Sequence, residues 1–213
     1  EDVRGQISEA DGHHGAEVVV AVVDTGLEIE HAELAENVVP EGSYNFLNGS
    51  DNPSTTSTSG DHGTSVAGII AALGWNGIGL RGLAPESKLK GFNFIASQMS
   101  SNQVFSNGGH ALSADVAVFN KSYGYENTAE MQVDVFLEAQ LLEGVTYLRE
   151  GKGAIYVKSA GNGFRKFSVI TCIYAGVTDF SDKVSCQHTN MDATRTLPYN
   201  LLVAALNASG IKS

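Results

Sequence analysis

Apolar residues come in short blocks along this chain, separated by clusters of small and polar residues. Glu17 to Val23 carries an unbroken run of valines and one alanine and stops at Asp24-Thr25-Gly26. Such a run, too continuous to alternate between a wet and a dry face, predicts a buried strand of a parallel sheet. Further short runs predict strands over Lys88 to Ile95, Val116 to Phe119, Ala154 to Val157 and Leu201 to Leu206. His62 to Leu73 reads as a helix of small and apolar residues, with Gly63 and Gly68 placed to let it approach a neighbour closely. Glu130 to Glu150 reads as the longest amphipathic helix: Met131, Val135, Leu142, Val145 and Leu148 fall near one stripe, and Gly151 to Gly153 end it. Asn48 to Gly60, Gly74 to Pro85 and Ser97 to Gly109 are rich in Gly, Ser, Thr and Asn and read as loops. Strands alternating with helices predict an α/β fold with a mostly parallel sheet. No repeat or linker divides the sequence, so residues 1–213 read as a single domain.

Charge narrows the class of partner. With 24 acidic against 13 basic residues the formal net charge is −11, which argues against nucleic acid as a partner, because binding the phosphate backbone needs clustered Lys and Arg. An acidic surface favours basic peptides instead. The longest apolar runs, such as Val18 to Val23, are far too short to span a bilayer, so no membrane partner is expected. The sequence opens at Glu1 without a basic stretch leading into an apolar one, so a secretory leader is expected to have been removed or never present. Cys172 and Cys186 either close a short loop as a disulfide, which would imply an oxidising compartment, or are two unrelated buried thiols.

The candidate chemistry lies where strands end. In parallel α/β sheets, sites gather at the carboxyl edge, and three polar clusters fall there: Asp24, Ser122-Tyr123-Gly124, and Ser159-Ala160-Gly161-Asn162-Gly163. A carboxylate directly after a buried strand needs a partner, and a histidine is a natural one. Asp-Thr-Gly also occurs in aspartic proteases, but those share a proton between two carboxylates, and no second Asp-Thr-Gly or Asp-Ser-Gly is present. Asp61-His62-Gly63-Thr64-Ser65-Val66-Ala67-Gly68 places a histidine at a helix start, followed by residues small enough to bury. Asn162, on a tight backbone, presents an amide suited to a developing oxyanion. Val-Val-Asp-Thr-Gly, His-Gly-Thr-Ser-Val-Ala-Gly and Ser-Ala-Gly-Asn-Gly, in that order, resemble the subtilisin-like serine proteases, and the segment from Glu143 to Gly163 resembles their kexin and furin branch.

That resemblance implies a fold with helices on both faces of the sheet, incomplete here at its C-terminal side. It implies serine endopeptidase activity through an Asp-His-Ser triad, with Asp24 orienting His62, His62 acting as general base, and Asn162 stabilising the tetrahedral intermediate. Ser122, Tyr123 and Gly124, with Ser159, Ala160 and Gly161, would flank a protein or peptide substrate. Asp192 aligns with an S1 aspartate that would pair with a basic P1 residue; otherwise it is a solvated loop residue beside Asn190. Calcium is implied by Glu33 and Asn76 with the carbonyls of Ile78 and Leu80, the alternative being a loop held by ordinary hydrogen bonds. A secreted or extracytoplasmic location follows from the same likeness.

The sequence also departs from the kexin pattern. Thr25 stands where kexins carry a second aspartate, and Ser59 and Gly60 replace acids ahead of Asp61, so strict dibasic specificity is not expected. Lys121 and Lys158 stand near substrate-lining strands with no evident role. The family's nucleophile motif is not found after Asn162. Ser65 sits in the histidine motif, three residues along the same helix, and reads as a packing residue. The expectation is therefore the N-terminal part of a catalytic domain, with the serine in a C-terminal remainder of the same protease. The alternatives are a catalytically inert peptide-binding module and, much more weakly, an α/β hydrolase or phosphatase of another class, for which the nucleophile elbow and phosphate loop are lacking.

Overall fold

Five short strands form the framework: β1 (Val19–Val23), β2 (Lys88–Phe92), β3 (Val118–Lys121), β4 (Ile155–Ser159) and β5 (Asn200–Val203). In the computed structural model, residues 12–55, 60–124, 131–162 and 192–205 are described. All strands pair in parallel in the order β2-β1-β3-β4-β5, with Val20 against Leu89 and Val118, Asn120 against Val157, and Val157 against Leu201. The chain passes from β1 to β2 on one side and later to β3 on the other, so the carboxyl end of β1 is a switch point, where α/β sheets place their ligands.

Each strand was expected from the sequence, and each lies within two residues of its expected start. Helices cover both faces. Val20, Val22 and Leu89 pack with Ala67 and Ala71 of α1 (His62–Ala71), whose small side chains let the helix lie close to the sheet. On the opposite face Ala21, Val23, Phe92, Phe119 and Tyr156 pack with Leu137 and Leu141 of α3 (Val135–Gly151). Asp134 caps α3 by accepting from Phe136 N and Leu137 N. Its helical backbone stops at Tyr147, ahead of the glycines: Leu148, Arg149 and Glu150 leave helical geometry, Arg149 N donates to Ala114 O, and Gly153 N closes on Leu148 O.

Two short helices lie where the sequence reads as loop, α2 (Ser100–Val104) and α4 (Ala193–Thr196). Both are too short and too polar to show a helical stripe. Coverage of the α1 face is uneven. Among the described residues it is closed over β1 and β2 but uncovered over β4 and β5, where Ile155, Leu201 and Val203 are at least half exposed. Among the described residues no helix is long and apolar enough to cross a membrane.

Candidate active site

Asp24 follows β1 directly. Its N–H donates to Phe92 O and its carbonyl accepts from Ile95 N, so the end of β2 fixes the backbone. The carboxylate is fully buried. Oδ1 accepts from its neighbour Thr25 N at 2.7 Å and lies 2.8 Å from His62 Nδ1. Oδ2 is buried with no hydrogen-bond partner among the described residues. A buried, ionised carboxylate is tolerated only when it is paired, and His62 is that pair.

His62 opens α1, whose start is pressed against the turn after β1. A Cβ on Gly63 would collide with Gly26 O, so only glycine permits the approach. Thr25 ties the two segments together: its Oγ1 donates to Gly60 O at 2.8 Å and accepts from Gly63 N at 3.1 Å. This role explains a residue that the sequence alone marks only as a departure. The imidazole is about half exposed, at 54%, while its partner carboxylate is wholly enclosed. With Nδ1 donating to Asp24, Nε2 is the nitrogen left to take up a proton, and that is the arrangement of a general base with its orienting acid.

The second cluster forms at the ends of β3 and β4. Ser122, Ser159, Gly161 and the exposed Asn162 line one cleft of about 250 Å³, with Asn120 and Val157 on its floor. Ala160 N donates to Val203 O. Tyr123 O accepts from Lys158 Nζ at 2.8 Å, and the Tyr123 ring lies under the same ammonium at 4.2 Å. Gly124 faces Arg195 rather than this cleft.

Asp192 does not line the cleft. It is fully buried at the start of α4, where Oδ1 accepts from Thr194 N at 2.9 Å and Thr194 Oγ1 at 2.6 Å, and Oδ2 lies 3.4 Å from Arg195 Nε. Lys158 and Lys121 are buried side by side in register on β4 and β3. Burial pulls the Lys158 ammonium down to about 8, with Asp192 opposing the shift and Arg195 adding to it. Burial, and then the charge of Lys158, hold Lys121 well below its ordinary value, and it donates to Asn200 Oδ1. Sequence reasoning left these lysines unassigned and missed Arg195. The Asp192–Arg195 spacing of i, i+3 was the one available signal.

Away from the sheet edge, Glu33 and the 76–80 loop meet. Glu33 Oε2 accepts from Leu80 N at 2.9 Å, Asn76 Oδ1 accepts from Ile78 N at 3.2 Å, and Glu33 Oε1 is buried without a partner among the described residues. Cys172 and Cys186 lie outside the described residues, as does Gly163.

Residues 15–185 match the profile of the Subtilase family. The chain belongs to the subtilases. It is 39% identical to the extracellular serine protease of Aeromonas sobria over 93% of this chain and 32% of that protein. It is 30% identical to kexin of Saccharomyces cerevisiae over 78% of the chain and 20% of that protein. The crystal structure of the Aeromonas sobria serine protease superposes with a TM-score of 0.82 at 37% identity, covering 94% of the chain and 34% of that structure. The same protease has also been solved in complex with a chaperone. The subtilase described here thus spans between about a fifth and a third of the length of these relatives.

Proposed function

We propose that this subtilase is the N-terminal part of a secreted or extracytoplasmic serine endopeptidase whose nucleophile lies in chain beyond Ser213. The observation that carries the reading is the 2.8 Å contact between the buried Asp24 carboxylate and Nδ1 of the half-exposed His62. In this reading Asp24 holds the imidazole in the tautomer that leaves Nε2 free. Nε2 takes the serine proton during attack and returns it to the leaving amine. The Asn162 side-chain amide donates to the oxyanion. Ser122 to Gly124 and Ser159 to Gly161 pair with the extended peptide through main-chain hydrogen bonds. The bare apolar stretch over β4 and β5 supports a further buried helix there, because soluble domains rarely leave such a patch open.

The kexin-like relatives support a basic P1 residue, and Asp192 could carry that preference only if a substrate displaced Arg195 from it. Calcium fits the Glu33 site on structural grounds. Oε1, without a partner among the described residues, is a hard anionic donor, and a Cβ on Gly79 would strike the Glu33 carboxylate, so the loop closes over it only with glycine there. Glu33, Asn76 and the carbonyls of Ile78 and Leu80 would hold the ion, which would pin the loop rather than take part in peptide hydrolysis.

A fluorophosphonate probe tests the central reading on the full-length protein. A covalent adduct on a serine C-terminal to Ser213, abolished by His62→Ala, is the expected result. Proteolysis of peptides without any such adduct, or labelling indifferent to His62→Ala, would overturn it.

A further inference from the structure

The two segments read as flanking the substrate are each held from behind by a buried cation of the subtilase. Lys158 reaches from β4 to the segment that follows β3. Its Nζ donates to Tyr123 O at 2.8 Å and stands 4.2 Å from the centre of the Tyr123 ring, which packs in turn on Phe94. Ser159 Oγ, at 3.4 Å, is a weaker second donor to the same carbonyl. Arg195 holds the other segment, where its Nε donates to Ser159 O at 3.1 Å. β3 ends at Lys121, so the Lys158 contact takes over where strand pairing stops. Placing an ammonium there is costly. Lys158 is buried in register beside Lys121, and the loss of hydration pulls it from 10.5 down to about 8. A methionine would fill the same space without that cost, and replacing a buried ion by an apolar side chain of similar volume often stabilises a fold. A side chain that the core would do better without is explained by what it holds, and here it holds a wall of the cleft.

We propose that Lys158 is a positioning residue for the substrate: its ammonium fixes the Ser122 to Gly124 wall in the line that an extended peptide pairs with, at the expense of stability. The proposal rests on reading that segment as a wall of the substrate cleft. Ser122 lines the cleft next to the residue that Lys158 grips by both carbonyl and ring. Among the described residues, the charged and titratable groups around the ammonium are Lys121 from β3, Tyr156 from its own strand, Tyr123, and Asp192 and Arg195 from α4. Asp192 favours its charge and Arg195 opposes it. As pH rises through about 8 the ammonium becomes an amine. The amine keeps a hydrogen bond to Tyr123 O but loses its charge assistance and the attraction of the ring, so the grip on the wall loosens.

The test uses the full-length protein, its Lys158→Met and Lys158→Arg variants, and blocked tetrapeptides carrying Arg or Leu at P1. Lys158→Met should raise KM at least about 10-fold with kcat little changed, because a displaced wall loses binding shared by ground and transition states. Fluorophosphonate labelling, which needs the triad but not the wall, should keep its wild-type rate. At pH 7 Lys158→Met should unfold at the same or a higher urea concentration than the wild type. From pH 7 to pH 9.5 the wild-type KM should climb toward that of Lys158→Met, whereas Lys158→Arg, which stays charged, should start near the wild type and stay level. If the longer side chain does not fold, the level profile of Lys158→Met carries that comparison. An unchanged KM in Lys158→Met overturns the proposal, as does a wild-type KM that is flat across pH 8. A Lys158→Met protein that loses stability, labelling and cleavage together also overturns it, by making Lys158 a brace of the whole fold. Calorimetry with the product tetrapeptide, ending in its free P1 carboxylate, gives a readout independent of the nucleophile. If none of the proteins cleaves peptide or takes the probe, the protease reading fails, while product bound at least about 10-fold more weakly by Lys158→Met still supports the role of Lys158. Equal binding to both, or binding to neither, overturns it.

Discussion

Two aspartates of this subtilase, Asp24 at the end of β1 and Asp192 at the start of α4, are completely buried, and they are spent differently. Among the described residues Asp24 has one side-chain partner, His62, and that partner is half exposed. Asp192 is ringed by Thr194 and Arg195 with Lys158 nearby, all within its own wall of the fold. Burial raises the energy of both carboxylates, so each must be paired. Asp24 passes its charge outward to a ring that solvent and substrate can reach. Asp192 is neutralised inward. The difference teaches that burial of a carboxylate near a cleft is not by itself a sign of substrate recognition; what matters is whether its partner remains reachable.

Breaking each pair should therefore show up in different measurements. If the full-length protein is the proposed endopeptidase, Asp24→Asn keeps the shape of the side chain but loses the acceptor that sets the His62 tautomer, and kcat should fall by about 10⁴. Asp192→Asn leaves the buried Arg195 without its counter-charge and should register in equilibrium unfolding, by about 3–5 kcal/mol. If Asp24→Asn lowered stability by that amount while sparing kcat, the contrast between the two sites would collapse. One step down in size, Asn162→Ala should cost about 10²–10³ in kcat with KM nearly unchanged, because the amide acts on charge that develops only in the transition state. A matching rise in KM would place Asn162 in ground-state binding instead.

Much of the Asp24 side of this comparison was legible in the sequence, and little of the Asp192 side was. Val18 to Val23 announces a strand by composition alone, and a polar residue directly after it must sit at the sheet edge. Asp24, His62 and Asn162 are all placed by local signals of that kind. Arg195, Lys158 and Lys121 are not. Their burial depends on the register of β3, β4 and β5, which sets Lys121 against Lys158 and brings Asn200 to Lys121. A lysine in a short strand reads as solvated until the neighbouring strands are known. The α4 turn was missed for a related reason: four residues carry no period, and the Asp192 cap that starts it could be read equally well as a recognition residue.

The buried cations of the Asp192 region predict a pH signature of their own. Lys158 is pulled from 10.5 to about 8 in the folded protein. Below pH 8 it is charged both folded and unfolded, and the folded state carries the full cost of burying it. Between pH 8 and 10.5 the folded protein has released the proton and the unfolded chain still holds it, so stability rises with pH, by about 3 kcal/mol across the whole window. Lys121, lowered by burial and by Lys158, acts in the same sense. Tyr156, raised by burial, opposes both above about pH 10, where only the unfolded phenol ionises. Urea unfolding at pH 8 and pH 9.5 should therefore show the wild type gaining about 2 kcal/mol more than Lys158→Met. Identical slopes for the two proteins would mean that Lys158 is solvated and that the Asp192 cluster is less closed than its geometry indicates.

The smallest effect belongs to the Glu33 loop, which sharpens the same distinction between a carboxylate used up by the fold and one held open for a ligand. Glu33 satisfies Leu80 N with one oxygen and leaves the other buried and, among the described residues, unpartnered. With no ion present, an unpaired buried oxygen should destabilise the loop, and Glu33→Gln, which keeps an acceptor for Leu80 N and converts the other atom to a neutral donor, should be tolerated. With calcium bound, the order reverses. Calcium at 100 times its Kd would add about 2.7 kcal/mol to the wild type, and Glu33→Gln, lacking the charge, would gain much less. Unfolding midpoints in EGTA and in millimolar calcium should thus cross between the two proteins: Glu33→Gln equal or higher in EGTA, wild type higher in calcium. Parallel midpoints in both solutions would show that the loop is held by the Leu80 and Ile78 hydrogen bonds alone. Glu33 would then join Asp192 as a carboxylate whose charge the fold consumes.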